Sequence, residues 1–324
     1  MRNISVLVYE EVILSCITGV VDILTTTNRF LEDCGKESAF NIALVSEHTM
    51  SPVVYGHAGV SYQTLDEVNN TDLVIVPAFN GSPDVILEKH KPLLGWIKKM
   101  NNAGAEVASL CLGSYLLAET GLLNGKICTS HWMAIEDMKL RYPKVSVLAD
   151  KVITDQDGIY TSGGAFSSLN LILYLVEKSC GRDISVWASK VFSIDLDRVN
   201  QSHFAVFQGQ HRHTDEEILK AQLYIEKNYH LPISIEQIAE QTYMSKRNFV
   251  RRFKNATQNT PLEYLQRVKV ESAKKALEKN AENISSLMYD AGYNDVKTFR
   301  KIFKRFTGLT PQDYRNKYCR ALNN

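Results

Sequence analysis

No apolar run in this sequence approaches the roughly 20 residues that a membrane-spanning helix needs, so a membrane protein of that type is excluded. The opening Met1-Arg2-Asn3-Ile4-Ser5-Val6 lacks the charged, apolar and cleavage regions of a signal peptide and reads instead as a β-strand. Cysteine is sparse and unpatterned. The six residues, at 16, 34, 111, 128, 180 and 319, contain no CxxC spacing. A disulfide framework is therefore not expected, and reduced thiols in a cytoplasm are. A dominant charge sign is missing too: the formal net charge is +1. That balance hides a division. Residues 215–324 hold 20 Lys+Arg against 13 Asp+Glu, while residues 1–214 hold 17 against 23. A basic module, of the kind that favours polyanions, follows an acidic one.

The acidic part alternates in period. Residues 4–9, 40–45, 72–77, 105–110 and 159–162 read as buried strands, and 19–33, 92–101, 114–119 and 167–178 as helices. Strands alternating with helices predict an α/β domain with a doubly wound, mostly parallel, flavodoxin-like sheet over residues 1–195. Residues 196–214 carry three of the eight histidines with little apolar periodicity, and are read as a linker. His203, His211 and His213 lack a helical His-x-x-x-His spacing, which favours a solvated connector over a metal site. From 215 onward the pattern is all helical, with seven segments expected at 215–229, 235–241, 245–256, 261–279, 284–290, 295–306 and 311–319. Ser234, Thr260 and Thr310 each stand three residues before a polar or acidic partner, and Pro261 and Pro311 occupy first-turn positions.

This last part is written twice. Phe249, Phe253, Lys254, Thr257, Thr260-Pro261 and Tyr264 recur fifty residues later as Phe299, Phe303, Lys304, Thr307, Thr310-Pro311 and Tyr314. At about 100° per residue, Phe249 and Phe253 share one face of a helix, and Arg247, Arg251 and Lys254 the opposite one. In the second copy Phe299, Phe303 and Phe306 bury, while Lys297, Lys301, Lys304 and Arg305 face out. A short helix precedes each, as the supporting half of a helix-turn-helix. The helix between the copies, roughly 30 Å long at 1.5 Å per residue, would bridge the ~34 Å between successive major grooves on one face of B-DNA. Double-stranded DNA is the expected partner.

These residues resemble the AraC/XylS family of regulators. The resemblance rests on Ile238-Ala239, Met244-Ser245-x-Arg247-x-Phe249-x-Arg251-Arg252-Phe253-Lys254, Ala291-Gly292-Tyr293-x-Asp295-x-x-x-Phe299-x-x-x-Phe303-Lys304 and Gly308-Leu309-Thr310-Pro311-x-x-Tyr314-Arg315. It implies two helix-turn-helix motifs. Ser245, Lys246, Arg247, Arg251 and Lys254 of the first, and Lys297, Thr298, Lys301 and Lys304 of the second, would lie near bases or phosphates. The family's turn glycine is present as Gly292 but replaced by Tyr243 in the first copy. That predicts a first motif that turns differently or reads less strictly.

In the N-terminal part, strand 105–110 runs into Cys111-Leu112-Gly113-Ser114 and a helix. A thiol on such an elbow stands beside a helix N-terminus, which favours the thiolate. His131, twenty residues on, is a candidate imidazole partner. Motif and spacing, together with the Thr161-Ser162-Gly163-Gly164 turn, resemble the ThiJ/PfpI, class I glutamine amidotransferase-like domain. Regulators of the GlxA type fuse that domain to an AraC/XylS tail. The resemblance implies a pocket at Cys111, His131 and Cys16, with two departures. Leu112 stands where many active relatives have His, and Cys16 where they place a carboxylate. The expected function is therefore a sequence-specific transcription regulator. Its first domain senses a small-molecule effector and dimerises, with no turnover, cofactor or metal. Two alternatives remain: a cysteine-dependent hydrolase or lyase with a DNA-binding tail, and an architectural DNA protein. The Cys16 alignment also raises a Cys16–Cys111 redox pair.

Overall fold

Near-continuous apolar runs such as Ile4–Val8 are what a strand covered on both faces requires. The computed structural model describes residues 1–48, 60–164, 166–211, 213–279 and 283–319. It divides into two units, Met1–Gln201 and Ser202–Asn324.

In the first unit a seven-stranded sheet runs in the order β3-β2-β1-β4-β5-β9-β8. The strands are β1 (Arg2–Val8), β2 (Phe40–Ser46), β3 (Val60–Thr64), β4 (Leu73–Val76), β5 (Glu106–Ser109), β8 (Ile153–Gln156) and β9 (Ile159–Ser162). β6 (Ile127–Cys128) and β7 (Ser146–Val147) form a separate short pair. All pairings in the main sheet are parallel except β8 with β9. The strands β2-β1-β4-β5-β9 follow the flavodoxin-like 2-1-3-4-5 order, whose switch point lies beyond the carboxyl ends of β1 and β4. Successive strand residues point to opposite faces and feed two cores. Leu7, Val74, Val76 and Val107 pack under α2 (Pro83–Lys89), α3 (Lys91–Asn102), α4 (Gly113–Glu119) and α5 (Ile135–Arg141). Ile4, Val6, Ile75 and Ala108 pack under α1 (Leu14–Asp33), α6 (Ser167–Cys180) and α7 (Arg182–Val191).

Several elements depart from the sequence expectation. α1 begins at Leu14 rather than 19, because Cys16 and Ile17 already bury against the sheet. β3, β8, α2, α5 and α7 were not expected. β8 is short and polar, but Asp157 and Gly158 turn it into β9 with φ of 51° and 72°. That Asp-Gly hairpin signal was present in the sequence.

Among the described residues, the second unit holds seven α-helices, at α8 (Glu216–Asn228), α9 (Ile235–Gln241), α10 (Lys246–Thr257), α11 (Pro261–Lys279), α12 (Ile284–Asp290), α13 (Val296–Thr307) and α14 (Pro311–Tyr318). Their bounds match the expected ones within about one residue. Ser234 and Gln237 close the capping box that the pattern predicts. The solvated-connector reading of 196–214 needs correction, because Gln201 and His203 are buried. The three histidines also go to different partners. His203 stacks on Phe204 at 4.1 Å, His211 pairs with Glu226 at 3.2 Å, and His213 donates to Gln222 at 2.8 Å.

Candidate nucleic-acid interface and candidate pocket

The sequence repeat is a repeated packing unit. The rings of Phe249 and Phe253 lie 5.5 Å apart, and Phe253 meets Tyr264 at 5.3 Å and 82°. Their counterparts Phe299, Phe303 and Tyr314 repeat this at 5.6 Å, then 5.5 Å and 83°. The buried Tyr264 hydroxyl donates to Glu226 and that of Tyr314 to Glu278. Thr257 and Thr307 each bond back to the phenylalanine carbonyl four residues earlier, at 2.8 and 2.9 Å. With one helix face fixed by this edge-to-face core, the opposite face is turned outward. Arg247, Arg251 and Lys254 on α10 are exposed, as are Lys297, Lys301 and Lys304 on α13. Phe306, expected to bury, is only partly covered.

Ser245 and Asp295 cap these two helices through the amides of Asn248 and Thr298. Lys246 pairs with Glu236 and Arg251 bonds Asn248 at 3.0 Å. Arg252, a motif residue, is committed to structure: it grips the Asp215 carboxylate with two bonds of 2.9 and 2.7 Å. Asp215 in turn caps α8. Nothing local in the sequence signalled that pair, which spans 37 positions.

The repeat is not fifty residues throughout. α9 and α12 begin 49 residues apart, α10 and α13 fifty. The additional residue lies between the turn and the N-cap, so the counterpart of Gly292 is Tyr243. Both are left-handed, with φ of 75° and 53°. Their amides make matching bonds, to Tyr289 O at 2.8 Å and Glu240 O at 3.0 Å. The expectation that the first motif turns differently is therefore corrected: it makes the same turn with a tyrosine. The side chain can follow because it points wholly into solvent, 98% exposed. The first copy bears a second such residue, Gln258 at φ 57°, where the second has Gly308.

In the first unit, Cys111 sits past the end of β5 with φ 54°, the strained backbone of a strand-to-helix elbow. Gly113 lets α4 start against β4; a Cβ there would lie 2.3 Å from the Val76 carbonyl oxygen. Cys111 and Cys16 are both buried in the same cluster. Both raise the already burial-elevated pKa of Tyr9, whose hydroxyl donates to Pro77 O at 2.6 Å. Burial pushes the Cys16 thiol up as well. Segment 129–131 reaches Cys111 through Ser130, whose hydroxyl donates to the Cys111 carbonyl at 3.2 Å. His131 accepts at Nδ1 from the Met133 amide at 3.1 Å, and burial lowers its pKa. A neutral His131 therefore carries its proton on Nε2 and presents a donor there, not a base. Beside it lies Gln201, which sequence reading missed. Its Nε2 donates to Thr129 Oγ1, Ser130 O and Lys151 O at 3.1, 2.9 and 3.0 Å, and its Oε1 accepts from the Gly164 amide at 3.2 Å. The acids after β1 are committed elsewhere: Glu10 pairs with Lys89, and Glu11 with Lys89 and His90.

Comparison with known proteins matches these two halves separately. Residues 22–178 match the DJ-1/PfpI family, and residues 238–317 a helix-turn-helix domain. The chain joins a DJ-1/PfpI domain to an AraC-type helix-turn-helix domain. Over roughly two thirds to three quarters of its length it is similar to proteins named as HTH-type transcriptional regulators. The HTH-type transcriptional regulator GbdR of Pseudomonas aeruginosa is 24% identical over 254 residues, 77% of this chain and 67% of that protein. ArgR of the same species is 26% identical over 227 residues, 69% of each. GlxA of Rhizobium meliloti is 22% identical over 226 residues, 68% of each. The DJ-1/PfpI–AraC chain is a DNA-binding transcriptional regulator. Among its described residues, no helix is long and apolar enough to cross a membrane.

Proposed function

We propose that the regulator reads two successive major-groove segments of an operator and is controlled by a small-molecule effector bound near Cys111. Arg247, Arg251 and Lys254 form one contact face, with Ser245 and Lys246 at its leading end. Lys297, Thr298, Lys301 and Lys304 form the other. The observation that carries the reading is the pair of matching cationic faces, each backed by the same Phe-Phe-Tyr core. α11, nineteen residues, measures about 28 Å at 1.5 Å per residue, close to the ~34 Å groove repeat. Arg251→Ala and Lys301→Ala should each weaken specific binding by about 1–3 kcal/mol if the side chains reach bases. Unchanged operator affinity in both variants contradicts the assignment.

The DJ-1/PfpI domain acts in this proposal as a sensor and dimerisation unit in the cytoplasm, with a degenerate catalytic site. Three features support loss of turnover: Leu112 follows the cysteine, a burial-raised Cys16 thiol stands at the acid position, and His131 Nδ1 is occupied. A metabolite that binds there stabilises the folded chain. Thermal-shift screening of the full chain, repeated with Cys111→Ala, tests the site. Sustained turnover of a small amide or carbonyl compound, lost in Cys111→Ala, would favour the enzyme instead.

A further inference from the structure

The two copies differ beside α10 and α13. In the second, a cleft of about 260 Å³ opens between α12, α13 and α14, lined by Ser285, Arg300, Gln312 and Arg315 among others. Among the described residues, no acidic one lines it. Arg300 is exposed, and among the described residues it has no ion-pair or hydrogen-bond partner. Arg315 is half-buried and donates to Gln312 Oε1 at 2.8 Å, which holds its guanidinium at the cleft. The corresponding positions of the first copy are Glu236, Val250, Leu262 and Leu265. There Glu236 is tied to Lys246, and Leu265 is buried. At these four positions the first copy carries one acidic charge and the second carries two cationic ones.

We propose that this cleft is a phosphate clamp, in which Arg300 and Arg315 grip one phosphate of the DNA backbone beside the second half-site, with no equivalent at the first. The proposal rests on the DNA-reading assignment of α13. Arg300 stands next to Lys301 in sequence and, at about 100° per residue, on the shoulder between the buried phenylalanines and the Lys297-Lys301-Lys304 face. A backbone followed by that face passes the cleft. Two guanidinium groups on one anion also suit the forked, charge-assisted geometry that phosphate accepts best. Such a contact fixes register and carries no base preference of its own.

The experiment uses the full chain and a DNA fragment selected by it from random sequence, with affinity measured across salt concentrations. Each neutralised phosphate contributes roughly 0.9 to the slope of log K against log salt. Replacing both arginines by alanine should flatten the slope by about one, and Arg300→Ala or Arg315→Ala alone by part of that, with sequence preference unchanged; Arg300→Lys should keep most of the wild-type slope. Lys254→Ala, outside the cleft, serves as a comparison. If both alanine variants keep the wild-type slope while DNA binding persists, the clamp is overturned and the DNA reading stands. If wild-type chain selects no DNA, the reading itself fails. Titration of inorganic phosphate into DNA-free chain separates the two sources of the anion. Saturable binding lost in Arg300→Ala, with an unchanged DNA slope, overturns the backbone assignment in favour of a free anion. Arg300 is exposed, so its substitution leaves folding intact; a preserved melting temperature checks this.

Discussion

Tyr243 and Gly292 occupy the same left-handed turn, yet exchanging their side-chain classes should have opposite consequences. At Gly292 an added Cβ would lie 2.8 Å from Tyr229 O, 2.9 Å from His230 O and 3.0 Å from His230 Cα. These are backbone atoms, which cannot rotate away. Overpacking of this kind costs about 1–3 kcal/mol. The left-handed backbone, at φ 75°, adds about 1–2 kcal/mol for a residue with a Cβ. Reduced freedom of the unfolded chain returns roughly 0.4–1 kcal/mol. Gly292→Ala should therefore destabilise the second unit by about 1–5 kcal/mol. At roughly 4 °C per kcal/mol for a unit of this size, that lowers its melting temperature by on the order of 5–20 °C. Tyr243→Gly removes a strain of about 1–2 kcal/mol and loses no buried surface, since the ring is 98% exposed. Glycine's greater freedom when unfolded offsets roughly 0.5–1 kcal/mol of that gain. The net is a change between zero and about 1.5 kcal/mol in favour of folding. Scanning calorimetry of the full chain reads both variants. A Gly292→Ala protein that melts with the wild type, or a Tyr243→Gly protein several degrees less stable, would refute the turn equivalence.

Gly113→Ala should destabilise the first unit by about 1–3 kcal/mol, because its Cβ meets the Val76 and Pro77 carbonyl oxygens at 2.3 and 2.6 Å. Gly95→Ala, within α3 and with open space around it, should instead stabilise by about 0.5–1 kcal/mol; similar melting of the two variants contradicts the packing argument. Glu11 offers a pH test. Hydrogen bonds from His90, then Lys89, hold its carboxyl at about 2, below the ordinary 4.5. A depressed folded-state pKa stabilises fully above the unfolded value and is lost as pH falls through the folded one. The stability difference between wild type and Glu11→Gln should thus be constant from pH 7 to about 5 and shrink steadily toward about 2. A constant difference across that range would place the pair elsewhere.

The helical half was legible because its signals are local. Caps, first-turn prolines and a 3.6-residue period lie within a few positions of the helices they define. The parallel strands were legible for a similar reason, as apolar runs bounded by polar residues. What escaped depends on distant partners or on polarity. β8 is a polar edge strand, joined to the sheet through its hairpin with β9. Arg252 stood in the motif with no partner in view, because that partner, Asp215, lies far back in the chain. Gln201 resembled linker because a buried amide with four partners carries no local pattern. The turn at Tyr243 departs from expectation for a physical reason: two backbone bonds close it, from the Tyr243 amide to Glu240 O and from the Met244 amide to Ala239 O. In the candidate pocket, the elbow at Cys111 was readable from strand, glycine and helix, whereas the commitment of His131 to its own backbone was not.

Hydroxyl-radical footprinting of the full chain on DNA that it has selected tests the two-reader account most directly. The account predicts two protected segments per chain on one face of the duplex, about 10–10.5 base pairs apart. Arg251→Ala should weaken one segment and Lys301→Ala the other. A single protected segment, weakened alike by both substitutions, would contradict it.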